Sequence, residues 1–186
     1  MKKSNFLKVS IFIFTLFIGQ TYFAQKTKMV GGAEMFPSKK IIENAVNSKD
    51  HTTLVAAVKA ADLVATLSGD GPFTVFAPVN KAFEMLPEGT VATLLKPENK
   101  KQLQTILTYH VVAGKVSAAD LIKMIKDNDG KVAIKTVSGG TITAWMKDKK
   151  VYISDENGGK AVVTIADVNQ SNGVIHVIDS VLLPKS

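Results

Sequence analysis

The sequence has no cysteine and no arginine, and its longest apolar run is short. The absence of cysteine excludes a disulfide scaffold, a thiolate metal site, a cysteine nucleophile and a cysteine-linked lipid anchor. The apolar run at residues 9–18 falls well short of the roughly 20 residues that a membrane-spanning helix needs, which excludes a multi-span membrane protein. The 186 residues, 46% of them hydrophobic, are enough to bury a core that holds the fold together without covalent links.

The sequence also lacks the motifs that mark common catalytic and metal sites. Its three histidines, His51, His110 and His176, are far apart, and there is no His-Glu-x-x-His run, Gly-x-Ser-x-Gly elbow or phosphate-binding loop. Residues 127–130, Asp-Asn-Asp-Gly, lack the alternating ligand positions and the distant Glu of a calcium loop, so we interpret them as a turn. We therefore expect no catalytic residue, no metal site and no cofactor, and a protein that is not an enzyme.

The first residues have the pattern of a secretory signal peptide. Residues 1–8 carry three lysines and no acid, residues 9–18 are almost entirely apolar, and polar residues then lead to Ala24. This pattern predicts cleavage after Ala24 and export to the periplasm or the cell exterior, with no membrane span left after cleavage. The alternative is an anchor that stays attached, which the short apolar stretch disfavours. We assign residues 1–24 to a signal peptide, 25–34 to a linker and 35–186 to a single domain.

The remaining lysines do not form the pattern of a nucleic-acid-binding protein. Loss of Lys2, Lys3 and Lys8 with the signal peptide would lower the formal net charge from +7 to +4. The other lysines are scattered, and the arginine forks and interleaved aromatic residues of nucleic-acid readers are missing. We expect no nucleic-acid partner and only weak attraction to anionic polymers.

Helical patterns dominate the first half of the chain and strand patterns the second. Apolar residues recur at helical spacing between residues 38 and 108, interrupted by an apolar strand at Phe73–Ala77. From residue 131 onward the apolar residues alternate, and glycine-containing turns separate the runs. This segregation predicts an α+β fold with antiparallel strands in series.

Three stretches carry a more specific signal. The first is Phe73-Thr74-Val75-Phe76-Ala77-Pro78-Val79-Asn80-Lys81-Ala82-Phe83, and the second is the pair Tyr109-His110 after a helix. The third is Asn172-Gly173-Val174-Ile175-His176-Val177-Ile178-Asp179-Ser180-Val181-Leu182-Leu183-Pro184. In this order and spacing, they resemble the two signatures and the intervening Tyr-His pair of the fasciclin domain family.

The resemblance implies a wedge of two antiparallel β-sheets with helices packed around one edge. It also implies a secreted bacterial adhesion or interaction module that binds a cell-surface or matrix component, either a protein or a polysaccharide. In multidomain animal relatives the Tyr-His region is linked to receptor binding, which makes Tyr109 and His110 the candidate ligand-binding residues. We expect a monomer. An alternative from another class is a small-molecule carrier or low-activity hydrolase of the cell envelope that uses a groove near His110.

We interpret the residues of the two signatures as folding determinants, because they are apolar or turn-forming. This set comprises Phe73, Phe76, Pro78, Asn80, Phe83, Asn172, Gly173, His176 and Asp179. The strands at Phe73–Ala77 and Val174–Ile178 are too apolar for an edge and are predicted to be central and buried on both faces.

Four positions in these signatures have more particular expected roles. Pro78 would end its strand because proline lacks a ladder donor, and Gly173 would supply a positive-φ position. Where the family usually has Thr or Ser, this chain has Val79. The capping of the helix that follows is therefore expected to pass to Asn80.

The roles of Tyr109 and His110 stay open between two interpretations. In a strand their side chains would point to opposite faces, so one would be in the core and the other at a helix or in solvent. One interpretation makes His110 a partly buried imidazole bonded within the protein, with Tyr109 packing its ring. The other places the pair on a ligand-binding surface. His176, inside an apolar run, is also expected to be structural.

Overall fold

The computed structural model describes residues 26–185 of the chain, and the predicted signal peptide lies outside that range. The described residues form short helices and strands, with two 3-10 turns at Lys49–His51 and Pro97–Asn99. The helices are α1 (Ile41–Ala45), α2 (Thr52–Ala60), α3 (Val64–Leu67), α4 (Asn80–Glu84), α5 (Thr90–Leu94), α6 (Lys100–Tyr109) and α7 (Ala118–Asp127). The strands are β1 (Lys28–Val30), β2 (Ala33–Met35), β3 (Phe73–Pro78), β4 (Val111–Ala113), β5 (Lys131–Lys135), β6 (Thr141–Lys147), β7 (Lys150–Ser154), β8 (Lys160–Gln170) and β9 (Gly173–Ile178).

Seven of the strands form one continuous ladder in the order β4-β3-β9-β8-β7-β6-β5. Strand β8 pairs with β7 through its first residues and with β9 through its later ones, and its register shifts twice between Val163 and Val168. Such bulges let a strand bend from one sheet into another. The ladder is thus two sheet halves joined through β8, and the predicted α+β class is confirmed.

One pair in this ladder runs parallel, whereas the sequence predicted antiparallel strands. Strands β3 and β9 pair over six positions, from Phe73 opposite Gly173 to Pro78 opposite Ile178. The other pairs in the ladder are antiparallel. A hairpin forces neighbouring strands to be antiparallel, but β3 and β9 are far apart in sequence and their long connection carries no such restriction.

The central strands separate two hydrophobic clusters. Helices α1, α2 and α6 and the β1–β2 hairpin pack on one side, where Val75, Ala77, Ile175 and Val177 point. Helix α7 and the inner face of β5–β8 form the other cluster, which includes Phe76. Both faces of β3 and β9 are therefore buried, as their continuous apolar sequence predicted.

The segment predicted as a linker, residues 25–34, folds in large part into a hairpin. Strands β1 and β2 pair across Gly31-Gly32, whose φ values of 56° and 76° suit a tight hairpin turn. Val30 and Met35 are buried in the first hydrophobic cluster. The interpretation of Gly31-Gly32 as linker residues was therefore wrong. The sequence did not reveal the hairpin, because a strand of three residues is too short to show alternation.

Among residues 26–185, none of the helices combines the length and the apolar character needed to cross a membrane.

Candidate functional site

The two signature segments meet at the centre of the molecule. Val75 lies opposite Ile175, and Ala77 lies opposite Val177, in the parallel β3–β9 pair. All four side chains are buried. The segments therefore form a scaffold, and the Tyr109-His110 pair is positioned against it.

Asn172 fastens this scaffold to the helices before it. Its Oδ1 accepts a hydrogen bond of 2.9 Å from the backbone N–H of Ile41, the first residue of α1. Its Nδ2 donates to the carbonyl oxygens of Leu67, at 2.9 Å, and Gly69, at 2.8 Å. One buried amide thus satisfies a helix start, the last carbonyl group of α3 and a carbonyl group just beyond that helix.

Gly173 is required mainly for space. Its φ of 158° is close to extended, but a Cβ atom there would lie 2.1 Å from the carbonyl oxygen of Phe73. No side chain fits at that distance without moving β3. The glycine therefore permits the close approach of the two central strands.

Asn80 does not cap the helix that it begins, contrary to the sequence prediction. The N-cap of α4 is Val79, which makes no side-chain cap hydrogen bond. The Asn80 Oδ1 instead accepts a bond of 3.0 Å from the N–H of Thr53, near the start of α2, and its Nδ2 donates to the Lys49 carbonyl at 2.8 Å. Asn80 caps a neighbouring helix, a target that its position in the sequence did not reveal.

The remaining signature residues also lie in or beside the central strands. Pro78 is the buried last residue of β3, and the Asp179 Oδ1 accepts a bond of 2.7 Å from the Val162 N–H, just beyond β9. Phe73 is partly buried at the start of β3. Phe83 is partly exposed beside a shallow groove, while Ala82 is the buried residue of α4.

His110 is an interior residue, 3% exposed, at the junction of α6 and β4. The backbone N–H of Leu182 donates to its Nε2 at 3.0 Å, so the ring proton must lie on Nδ1. Nδ1 lies 2.8 Å from the carbonyl oxygen of Ile106 and donates to it. Burial lowers the pKa of His110 from 6.5 to about 4, which keeps the imidazole neutral.

Tyr109 is the last residue of α6, so the expectation that Tyr109 and His110 share a strand was wrong. Both side chains are buried, and their ring planes meet at 88° with centroids 6.5 Å apart. The Tyr109 hydroxyl donates to the Thr141 carbonyl at 2.7 Å and accepts from the Glu156 N–H at 3.3 Å. Burial raises the pKa of Tyr109 to about 12. A helix end, unlike a strand, lets both side chains point inward.

The segment after β9 crosses over this pair. Leu182 is fully buried and donates its N–H to His110, as described above. The Leu183 N–H donates to Asp155 at 3.0 Å, and the Asn157 Nδ2 donates to the carbonyl oxygens of Leu183 and Pro184. We call residues 181–185 the C-terminal strap. It links the Tyr109-His110 junction to the β7–β8 turn.

His176 in β9 is held in the same way as His110, because one ring nitrogen accepts a hydrogen bond from the backbone and the other donates one to it. The N–H of Asp167 donates to its Nδ1 at 3.2 Å, and its Nε2 lies 2.9 Å from the Val116 carbonyl oxygen, to which it donates. Its ring stacks on Phe76 with centroids 5.6 Å apart. Burial lowers the pKa of His176 and keeps the ring neutral. The structural role expected for His176 agrees with this geometry.

His51 differs from the other two histidines. Its Nδ1 lies 2.9 Å from the Ser48 Oγ, but its buried Nε2 has no hydrogen-bond partner among the described residues. It borders a cavity of about 50 Å³ whose walls are almost entirely apolar and also include the side of His110. Burial lowers the pKa of His51, while the Ala77 carbonyl and the Asp50 carboxylate act in the opposite direction.

The hydrogen bonds of His110 and His176 leave neither ring free for acid–base chemistry. Both ring nitrogens of His110 and His176 are occupied by backbone groups, so neither can exchange a proton with a substrate without breaking those bonds. Within residues 26–185, no three His, Asp or Glu side chains gather closely enough to hold a metal ion. The chemistry of the junction is therefore positioning: it fixes a helix end, a strand start and the C-terminal strap.

Comparisons with known proteins identify the family to which this sequence is similar. The fasciclin domain model matches residues 49–184. Protein sll1483 of Synechocystis sp. is 51% identical over 160 residues, which cover 86% of this chain and 82% of that protein. The transforming growth factor-beta-induced protein ig-h3 of Sus scrofa is 37% identical over 131 residues, which cover 70% of this chain and 17% of that protein.

A solved structure shares the fold. It is a FAS1 domain pair from the insect cell adhesion molecule Fasciclin I, with a TM-score of 0.68 and 21% identity. The match covers 76% of this chain and 50% of that one, so this chain spans about half of the pair. The family model covers more than half of the chain, and the central strand pair is built from both signature segments. The chain therefore belongs to the fasciclin domain family.

Proposed function

We propose that this chain is a non-enzymatic interaction module that binds a protein or polysaccharide of a cell surface or matrix after export from the cytoplasm. The observation that carries the proposal is the family membership, together with a fold neighbour that is named a cell adhesion molecule. The signal-peptide pattern of residues 1–24 supports an extracytoplasmic location.

The buried state of the Tyr109-His110 pair favours an indirect role for it in binding. With both side chains buried and their polar atoms paired, a partner would meet the surface that they position, namely the C-terminal strap and the β7–β8 turn. In this proposal Tyr109 and His110 are positioning residues.

The carrier and hydrolase alternatives receive less support. Ligand pockets commonly enclose about 300–1,000 Å³, whereas the cavity beside His51 and His110 measures about 50 Å³. A hydrolase would need a free histidine nitrogen beside a nucleophile, and His110 has neither nitrogen free. These features favour a binding surface over an internal site.

The proposal is tested by deleting the gene in its own host and measuring attachment of cells to one another and to surfaces. We expect attachment to fall, and to return when the full-length chain is supplied. A chain that lacks residues 1–24 is the matched control, because it would fold but not be exported. Normal attachment of the deletion strain, together with no binding of the purified chain to host surface fractions, would overturn the proposal.

A further inference from the structure

One face of the sheet combines stacked aromatic rings with a concentration of positive charge. Trp145 of β6 and Tyr152 of β7 lie directly opposite each other, with ring centroids 4.6 Å apart and planes 18° apart. The Nζ of Lys160 lies 5.8 Å from the centroid of the Trp145 ring. Both rings are partly exposed, and Trp145 is the single tryptophan of the chain.

The register places these residues on the outward side of the sheet. Lys131, Trp145, Tyr152 and Val162 are partners across four strands, whereas the buried residues of β5–β8 alternate with them and face α7. We call this outward surface the lysine–aromatic face. The members that matter to the argument are Lys131, Thr143, Trp145, Lys150, Tyr152 and Lys160.

The charge of this face has one sign. Strands β5, β6 and β7 and the first five residues of β8 contain five lysines and no Asp or Glu. Ion pairs within residues 26–185 involve none of these five lysines. The nearest turn acids, Asp155 and Glu156, accept hydrogen bonds from the backbone of Gly159, Leu183 and Thr141, and the β6–β7 turn adds one exposed acid, Asp148.

Folding alone explains the aromatic pair but not the lysines. A stacked cross-strand pair stabilises a sheet by itself. Lys147 and Lys150, however, are direct partners across β6 and β7, and like charges directly opposite each other destabilise a sheet. A surface that gathers such charges around a partly exposed stack is complementary to an anionic ligand that also has an apolar side.

We propose that the lysine–aromatic face binds an acidic polysaccharide, a polymer of pyranose rings that carry carboxylates. The inference rests on the proposed function and names the surface and the partner class for it. The C–H side of a sugar ring packs on the outer surface of the Trp145–Tyr152 stack, where the electron-rich ring attracts it. Lys131, Lys150 and Lys160 neutralise the carboxylates, and the hydroxyl of Thr143 is available to the sugar hydroxyls.

The dimensions of the face suit such a polymer. Four adjacent strands give three interstrand spacings of about 4.8 Å, or about 14 Å from Lys131 to Val162, which is room for a short oligosaccharide. A single-stranded nucleic acid would also stack on aromatic rings, but its phosphates are usually held by arginine forks, and the chain has no arginine. The charge and the stack together therefore favour the polysaccharide.

The test measures binding of the purified full-length chain to alginate, a polymer of carboxylated pyranoses, by titration calorimetry at low and moderate salt. Neutral dextran and a single-stranded oligothymidine are the comparison ligands. The variants are Trp145→Ala and the triple change Lys131→Gln, Lys150→Gln and Lys160→Gln. Two matched controls are Phe36→Ala, an exposed ring with the Lys39 ammonium 4.9 Å from its centroid, and the triple change Lys59→Gln, Lys81→Gln and Lys101→Gln on helices.

We expect the chain to bind alginate more tightly than dextran or oligothymidine, and each variant of the face to weaken that binding by about tenfold or more. Both controls should keep the binding of the original chain. Circular dichroism checks that each variant is folded. If Trp145→Ala fails to fold, the triple variant of Lys131, Lys150 and Lys160 still tests whether the lysine–aromatic face binds alginate.

Several results would overturn the inference. They are equal losses in the two lysine triple variants, equal binding of dextran, or tighter binding of oligothymidine. Absence of alginate binding, with attachment of host cells still dependent on the gene, would sink the inference and leave the proposed function standing. If alginate binding and gene-dependent attachment are both absent, the inference and the proposed function both fail.

Discussion

At the scale of single residues, the buried polar side chains of the described residues have hydrogen-bond partners, with the Nε2 of His51 as the exception. His110 and His176 each use one nitrogen as donor and the other as acceptor towards backbone groups. Protonation would place a second N–H against the backbone N–H of Leu182 or Asp167, which would break that hydrogen bond. Both rings are therefore neutral because of their geometry as well as their burial.

The free energy of unfolding should fall as the pH falls from about 6.5 to about 4. In this window the unfolded chain protonates His110 at its ordinary pKa of 6.5, whereas the folded chain holds the pKa at about 4. The unfolded state then binds more protons, so acid destabilises the fold, by an amount on the order of 3 kcal/mol for His110. Urea unfolding at pH 7 and pH 4.5 measures the effect.

A His110→Gln variant is the control for this pH dependence. It should be less stable at pH 7 by about 1–3 kcal/mol, because the Leu182 N–H and the Ile106 carbonyl lose their partner. It should also lose less stability between pH 7 and pH 4.5 than the original chain. An unchanged slope would show that other groups carry the acid sensitivity.

Phe76 is predicted to be one of the most costly side chains to remove. It is 1% exposed, contributes to the second hydrophobic cluster and stacks on His176. Phe76→Ala should lower the free energy of unfolding by roughly 3–5 kcal/mol, because the vacated space cannot collapse between two packed layers. Phe36→Ala, at an exposed ring, should cost far less in the same denaturation experiment, and equal costs would contradict the assignment of the core.

At the scale of elements, local patterns were predictable and long-range partners were not. The sequence directly shows the apolar runs of β3 and β9 and the alternation of β5–β8. Each strand's own residues indicate which of its faces are buried. The parallel pairing, the location of His110 at a helix end and the cap provided by Asn80 depend on residues tens of positions away. The β1–β2 hairpin was missed because strands of three residues have too few positions to show a period.

Asn80→Ala should destabilise α2, the helix that Asn80 caps from a distance. Loss of the bonds to the Thr53 N–H and the Lys49 carbonyl should lower the free energy of unfolding by about 0.5–2 kcal/mol. Lys81→Ala, at the exposed next residue of α4, is the matched control and should have little effect. Hydrogen exchange locates the change: faster exchange in α4 alone, with α2 unaffected, would contradict the role assigned to Asn80.

At the scale of the whole molecule, the C-terminal strap joins the two sheet halves. Its Leu182 contacts His110 beside β4, at one end of the ladder, while Leu183 and Pro184 bond to the β7–β8 turn in the other half. Strand β8 belongs to both halves, and the chain also passes between them through α7, from β4 to β5. The strap adds a further connection that contains no strand pairing. The Tyr109 hydroxyl, bonded to Thr141 and Glu156, crosses the same gap.

A chain truncated after Val181 should therefore lose more stability than the length of the deletion suggests. Removal of the fully buried Leu182 side chain should cost about 2–5 kcal/mol, and it leaves the His110 Nε2 without its donor. Truncation after Pro184 is the control, since it keeps the buried leucine and every strap contact except the Lys185 bond to Glu156. Thermal unfolding should show a large drop for the first truncation and a small one for the second. If the two melt together, the strap contributes little to stability, and β8, the α7 connection, the Tyr109 hydroxyl and the packed clusters hold the sheet halves without it.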